Sequence, residues 1–228
     1  MPNSFRPRLA KLPRIQRELW PLLAPLARQG MVLHGGTAVV LRLGHRSSVD
    51  FDFFTEHPLD RNALRAAFPR FASAVIIQDE PDACTGLVPL SGGEVKVSFF
   101  GRITFGRVGD PGTTDDGVAV VASLNDLMAQ KLKVVMQRVE AKDYRDVAAL
   151  IRAGVTLDSG MAGAMALFGV SFPPMDCAKA LVHFKGGDLA TIPSADRDTL
   201  LKAVRSLRFS ISPAAIRSTS LSAANPRG

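Results

Sequence analysis

The sequence predicts an α+β fold, with a small mixed sheet flanked by helices in its N-terminal half and a mainly helical C-terminal half. Three observations lead there. Short runs of apolar and β-branched residues cluster before residue 106, several alternating with period two. A stretch rich in Gly, Asp and Thr, residues 110–117, interrupts the chain. Beyond it the apolar residues recur at helical spacing. At 228 residues, 46% of them apolar, the chain can bury a real core as one large domain or as a compact domain plus a smaller one. The expected division is a core over 1–117, a helical region over 118–211 and a disordered tail over 212–228, where Ser, Ala and Pro dominate.

The elements follow in order. Ile15, Leu19, Leu22, Leu23 and Leu26 recur near helical spacing, Pro21 and Pro25 break the run, and Gly30 is a helix stop. Met31-Val32-Leu33-His34 reads as a short buried strand, Gly35-Gly36 as a turn, and 37–43 as a short helix. Residues 49–54 alternate acidic and apolar side chains and form a strand. Residues 59–68 are helical, with Asp60 near the start. Strands are expected over 75–77, 85–90, 95–100 and 103–105, with Ser91-Gly92-Gly93 turning between two of them. Residues 110–117 read as a linker or exposed loop. Ser123 is an N-cap with Asp126 in the first turn, and Leu124, Leu127, Met128, Leu132, Val135 and Val139 mark one apolar face. A second helix runs over 142–152 to Gly154; 160–168, 174–182 and 195–207 are helical too.

Lys and Arg exceed Asp and Glu by 28 − 21 = 7, which suits polyanionic partners such as RNA, DNA or nucleoside triphosphates. Cys84 and Cys177 are far apart and form no C-x-x-C pair, so neither a disulfide framework nor a zinc site is implied. Prolines interrupt the basic N-terminus, and the apolar stretch over 161–172 is too short and glycine-rich to span a bilayer. The expectation is a soluble cytoplasmic protein without a membrane partner.

Two carboxylates draw attention to the strand at 49–54. Residues two apart in a strand face one side, so Asp50 and Asp52 project together while Val49, Phe51 and Phe53 face the core. A bound Mg²⁺ or Mn²⁺ removes the repulsion between such neighbours, since hard cations take one or two carboxylates plus substrate phosphates. An isolated Asp-x-Asp is more often a half-exposed strand edge. Here it follows Gly35-Gly36-Thr37, set between a strand and a helix, where backbone N–H groups and the helix dipole favour a phosphate and Thr37 can add its hydroxyl.

The stretch GGTAVVLRLGHRSSVDFDFF resembles the first motif of the AbiEii/AbiGii-type toxin nucleotidyltransferases, within the polymerase-beta-like superfamily: a glycine turn, then Arg-x-Ser-x-Asp-x-Asp, matched by Arg46, Ser48, Asp50 and Asp52. The segment NDLMAQKLKVVMQRVEAKDYRDVAALI is similar to their second signature, matched by Lys131, Lys133, Lys142, Asp143 and Asp146. The resemblance implies a metal site at Asp50 and Asp52. It implies a nucleotide site at Gly35, Gly36, Thr37, Arg46, Ser48, Lys131 and Lys142. Lys133, narrowly preferred to Lys131, would neutralise triphosphate charge. Asp143 would be an active-site residue, a base for the incoming hydroxyl, and Asp146 would pair with Lys142 or Arg145.

In the wider superfamily a third strand carboxylate completes the metal site; Ser98 stands where it is expected. Glu94 lies on the same face, but about 13 Å along the strand. Three alternatives stay open: Asp143 supplies the charge, a single ion binds, or catalysis is weakened. Lys96, on this face too, reads as a snorkelling surface lysine, with a phosphate contact as the alternative. Arg42 is expected to hold phosphate or pair with an acid, His34 and His45 to be structural, Trp20 to be core, and Arg197, Arg205, Arg208 and Arg217 to form a solvated basic face.

The implied activity is transfer of a nucleoside monophosphate from an NTP to an acceptor hydroxyl, with tRNA ends as acceptor and an antitoxin as partner, the helical half closing over the nucleotide. The rival readings are the same fold acting on a protein, as a kinase or by nucleotidylation, and a degenerate fold binding nucleotide or RNA without turnover.

Overall fold

The computed structural model describes residues 3–208 and 210–222. The chain divides into two compact units. The first comprises the described parts of Met1–Gly106, Asp110–Ser123 and Ser218–Gly228; the second comprises Arg107–Gly109 and Leu124–Arg217.

In the first unit the strands are β1 (Ser4–Phe5), β2 (Val32–His34), β3 (Asp50–Phe54), β4 (Val75–Glu80), β5 (Ala83–Leu90), β6 (Gly93–Phe100), β7 (Gly112–Thr114) and β8 (Val120–Val121). They form one mixed sheet in the order β1-β7-β8-β2-β3-β6-β5-β4, confirming the α+β class. β3 is central, antiparallel to β2 and parallel to β6. The helices are α1 (Arg14–Leu19), α2 (Gly35–Leu43) and α3 (Arg61–Ala67), joined by 3₁₀ segments Trp20–Gln29 and Pro69–Ser73. Pro21 and Pro25 lack the N–H donors that an α-helix would need over 20–29, and Gly30 ends the segment at φ 70°.

The alternation in β3 sends Phe51 and Phe53 inward, with 0% and 2% exposure. Phe51 stacks near Trp20 at 6.1 Å, Phe53 against Phe99 at 5.7 Å, and Phe71 meets Phe99 edge-on at 5.1 Å. This aromatic layer anchors β3, so the acids between its phenylalanines face the opposite side. Val49 does not share the burial expected for it. It is 55% exposed, because the strand ladder begins one residue later and only its carbonyl is used, by Gln16 Nε2 at 2.8 Å.

The expected linker at 110–117 is instead β7 and the turn to β8. β7 pairs with both β1 and β8, and a side chain at Gly112 would press on the Asn3 carbonyl, the Arg42 guanidinium and the Phe5 ring. The small, turn-forming residues that suggested a loop are there because the backbones approach closely. Residues 103–105 form no strand; Arg102 at φ 49° breaks the extended path, and Ile103 N–H donates to the Thr55 carbonyl at 3.1 Å.

The second unit carries α4 (Leu124–Val135), α5 (Ala141–Arg152), α6 (Leu157–Phe168), α7 (Pro174–Leu181) and α8 (Ser194–Arg205). α4 packs on α6 and α5, and α5 on α8. Asp126, on the first turn of α4, is buried and accepts the N–H groups of Val108 at 2.7 Å and Gly109 at 3.3 Å. No single helix among the described residues is long and apolar enough to cross a membrane. Cys84 and Cys177 are free and buried.

Of the segment set apart above as a tail, residues 212–222 are described and 223–228 lie outside the described residues. Ala214 N–H donates to the Ala162 carbonyl at 2.9 Å and Arg217 N–H to the Arg107 carbonyl at 2.8 Å. Ser220 Oγ donates to Glu56 at 2.5 Å, and Leu221 is 2% exposed.

Candidate functional site

In the first unit β2 ends at His34 and passes directly into α2. The glycines form the helix's first turn rather than a separate loop. Gly35 sits at φ 70°, where L side chains are strained, and a Cβ there would collide with the Asp52 carboxylate. The antiparallel pairing of His34 with Asp52 brings this about. A Cβ on Gly36 would fall 2.5 Å from an Arg46 guanidinium nitrogen and 3.4 Å from Ser48 Oγ. Arg46 and Ser48 therefore gather over a bare patch of backbone at the positive end of a nine-residue helix, the local chemistry of an anion site. Gly35→Ala is expected to destabilise the protein by about 1–2 kcal/mol through this clash and the positive φ. A urea-unfolding midpoint unchanged from the parent would contradict the close approach.

Thr37 is 1% exposed. Its hydroxyl lies 2.8 Å from Ser48 Oγ and donates to the Asp50 carbonyl. It thus ties α2 to the start of β3 and holds the Asp50 backbone in place.

Asp50 and Asp52 share the half-exposed face of β3. The parallel register sets Asp50 opposite Lys96 and Asp52 opposite Ser98. Ser98 is 3% exposed, so a buried hydroxyl stands beside Asp52. Lys96 is no idle surface lysine: its Nζ lies 3.1 Å from Asp50 Oδ2. Glu94 pairs with Pro89 at the far end of β6. Among the described residues no group of three or more His, Cys, Asp or Glu side chains assembles as a metal cluster. The donor set still fits one hard divalent cation, with two carboxylates from the protein and further oxygens from phosphate. It does not fit a site built wholly from protein ligands.

Arg42 is committed elsewhere. Its guanidinium donates to the Ala122 and Val121 carbonyls, each at 2.9 Å, and lies 4.2 Å over the Phe5 ring. Burial draws its pKa down to about 10, leaving it charged at neutral pH. His34 is buried and stacks on Phe54 at 4.6 Å.

In the helical unit residues of the second signature form a buried charge cluster. Lys131 is 5% exposed. Its Nζ reaches Asp143 Oδ1 at 2.8 Å and Asp146 Oδ2 at 2.7 Å. The one-turn spacing of the two acids on α5 lets a single ammonium from α4 bridge both. Arg138 closes a fork on Asp143, Nε to Oδ2 at 2.8 Å and Nη2 to Oδ1 at 3.1 Å. Burial by itself would push the Asp143 carboxyl up; the Arg138 hydrogen bond and the Lys131 charge outweigh it and hold the group below the usual carboxylate range.

Asp146 thus pairs with Lys131 rather than with Lys142 or Arg145. Lys142 pairs with Glu140 at 2.6 Å, and Arg145 Nε lies 3.8 Å from Asp196. Lys133, on another face of α4, donates to the Ser171 carbonyl at 2.5 Å and lies 5.9 Å from the Phe168 ring. Sequence reasoning placed Lys96 on this face but missed its pairing with Asp50, and it missed Arg138 altogether. The signal for Lys96 was the two-residue offset it shares with Ser98; for Arg138 it was its place in the turn five residues before Asp143.

Over residues 19–208 the chain matches the model of a family described as nucleotidyl transferase AbiEii toxin, type IV toxin–antitoxin system. It is also 31% identical over 147 residues to an uncharacterised protein of Aquifex aeolicus (strain VF5), the match covering 63% of this chain and 69% of that protein.

Proposed function

The chain belongs to the AbiEii nucleotidyltransferase toxin family, and from that premise we propose that it transfers the nucleoside monophosphate of an NTP to the terminal hydroxyl of an RNA, a tRNA end above all. The observation that carries this reading is the pairing of Asp50 and Asp52 on one face of β3 with the Gly35 backbone pressed against Asp52. Phosphate and cation sites are thereby adjacent by construction.

Asp50 and Asp52 would hold a divalent cation, Mg²⁺ or Mn²⁺, which when bound neutralises the triphosphate and stabilises charge on the phosphate undergoing attack. The backbone N–H groups at the start of α2, with Arg46, orient the phosphates, so part of the barrier is met by positioning. The acceptor oxygen bonds to the α-phosphorus, the bond to the β-phosphate bridging oxygen breaks, pyrophosphate leaves, and the acceptor's proton passes to solvent or a nearby base.

In the helical unit the Lys131–Asp143–Asp146–Arg138 cluster orders α4 against α5. Lys133 and Lys142 have accessible partners and can exchange them for phosphate. In a type IV system a cognate antitoxin is the regulatory partner.

The test is incubation of the protein with α- and γ-labelled NTPs, Mg²⁺ and total tRNA. α label on RNA is the expected result. γ label on protein would show a kinase instead. The buried Ser98 and the Lys96–Asp50 pair favour, as second reading, a fold that binds without turnover; nucleotide binding with no transfer of either label would establish it.

A further inference from the structure

Asp50 faces two competitors for its carboxylate. One is the cation proposed above; the other is Lys96, already 3.1 Å away across the β3–β6 ladder. The pair is partly solvated, with side-chain exposures of 39% for Lys96 and 34% for Asp50. It is therefore neither a rigid buried bridge nor a loose surface contact. Beside it, Asp52 faces a neutral Ser98. The Lys96 ammonium thus offsets part of the negative charge that the strand acids bring to this face. A divalent ion entering alone must displace the ammonium and leave it beside a dication. Lysine is a compact charge on a flexible stem, with donors that rotate readily to a new acceptor. A triphosphate arriving with the ion supplies that acceptor.

We infer that Lys96 is a positioning residue that makes cation binding at Asp50 and Asp52 depend on the nucleoside triphosphate. It occupies Asp50 in the nucleotide-free protein and passes to the phosphates when nucleotide and ion enter together. With Ser98 opposite Asp52, the site has two acids, and a hard cation there completes its shell with phosphate oxygens of the substrate. The inference rests on the metal assignment made above and goes beyond it by naming what sets the order of binding. By linkage the coupling is reciprocal: Lys96 raises the dependence of Mn²⁺ on nucleotide and of nucleotide on Mn²⁺ by the same factor.

The experiment titrates Mn²⁺ into the full chain, reading free ion by electron paramagnetic resonance. Titrations are run with and without an equimolar mixture of the four α,β-methylene nucleoside triphosphates. In the wild-type protein the analogues are expected to tighten Mn²⁺ binding by at least about tenfold. Lys96→Gln is expected to tighten nucleotide-free Mn²⁺ binding by on the order of tenfold, since a unit charge a few ångströms from a dication is removed. The same variant should shrink the nucleotide effect to less than about threefold. Lys96→Arg should restore most of the coupling, which a merely structural residue would not do. Far-ultraviolet circular dichroism melts confirm that each variant is folded. Wild-type Mn²⁺ affinity and coupling in Lys96→Gln overturn the inference while leaving the metal site standing. Unchanged Mn²⁺ binding in Asp52→Asn overturns the metal site and the inference together.

Discussion

Asp50→Ala is expected to lower nucleotidyl transfer by at least about a thousandfold while leaving the fold intact. The two halves of this result have separate physical origins. Asp50 is half exposed and its side-chain ion partner, Lys96, is also open to water, so removing the carboxylate strands no buried charge. The stability cost is then within about 1 kcal/mol. The Asp50 backbone, gripped by Thr37, is untouched. What disappears is one of the two protein ligands available to the cation. Transfer of α label to tRNA and a thermal melt on the same preparation measure both halves. Wild-type transfer in this variant would sink the metal assignment; a collapsed melt would show that the carboxylate is structural.

The opposite pattern is expected for Asp143→Ala, where stability is lost first. Asp143 is 0% exposed and accepts from both Lys131 and Arg138. Without it, Lys131 keeps Asp146 as its counter-charge but loses one of its two buried charge-assisted hydrogen bonds, and Arg138 loses the carboxylate it forks on. Breaking a buried pair from one side costs about 3–5 kcal/mol, which should lower the melting temperature by more than about 10 °C. The sign of the pH dependence follows from the depressed Asp143 pKa. The carboxylate contributes stability that is fully present above the ordinary carboxylate range and is lost as pH falls through its lower folded value. The wild type should therefore lose part of its urea resistance between neutral pH and about pH 3, and Asp143→Asn should lack that part of the loss. A variant that melts with the wild type at neutral pH would mean that the cluster does not hold α4 to α5.

These two residues also show how far the chain could be read unaided. Asp50 and Asp52 were placed on one face by the period of a strand, and the burial of Phe51 and Phe53 agrees with it. Both family signatures were legible for the same reason: each is a local pattern on one strand–helix or helix–helix unit. The class of fold, the order of most elements and the family are all of this kind. The short strands β1, β7 and β8 were not visible, because two or three residues carry no period, and β1 and β7 find each other across more than a hundred residues.

What only the tertiary structure decided is the meaning of the charges. Lysines 131 and 133 look alike in sequence. Yet one is buried between two aspartates and the other is tied to the end of a neighbouring 3₁₀ turn. Ser98 and Lys96 became neighbours of Asp52 and Asp50 through a parallel ladder that no sequence period encodes. The sequence by itself determined which groups the protein owns and which of them share a face, since those follow from backbone geometry within one element. Which acid is half exposed beside a mobile ammonium and which is buried between fixed cations was decided by packing, because a charge's chemistry depends on its surroundings, and those are set by how the elements come together.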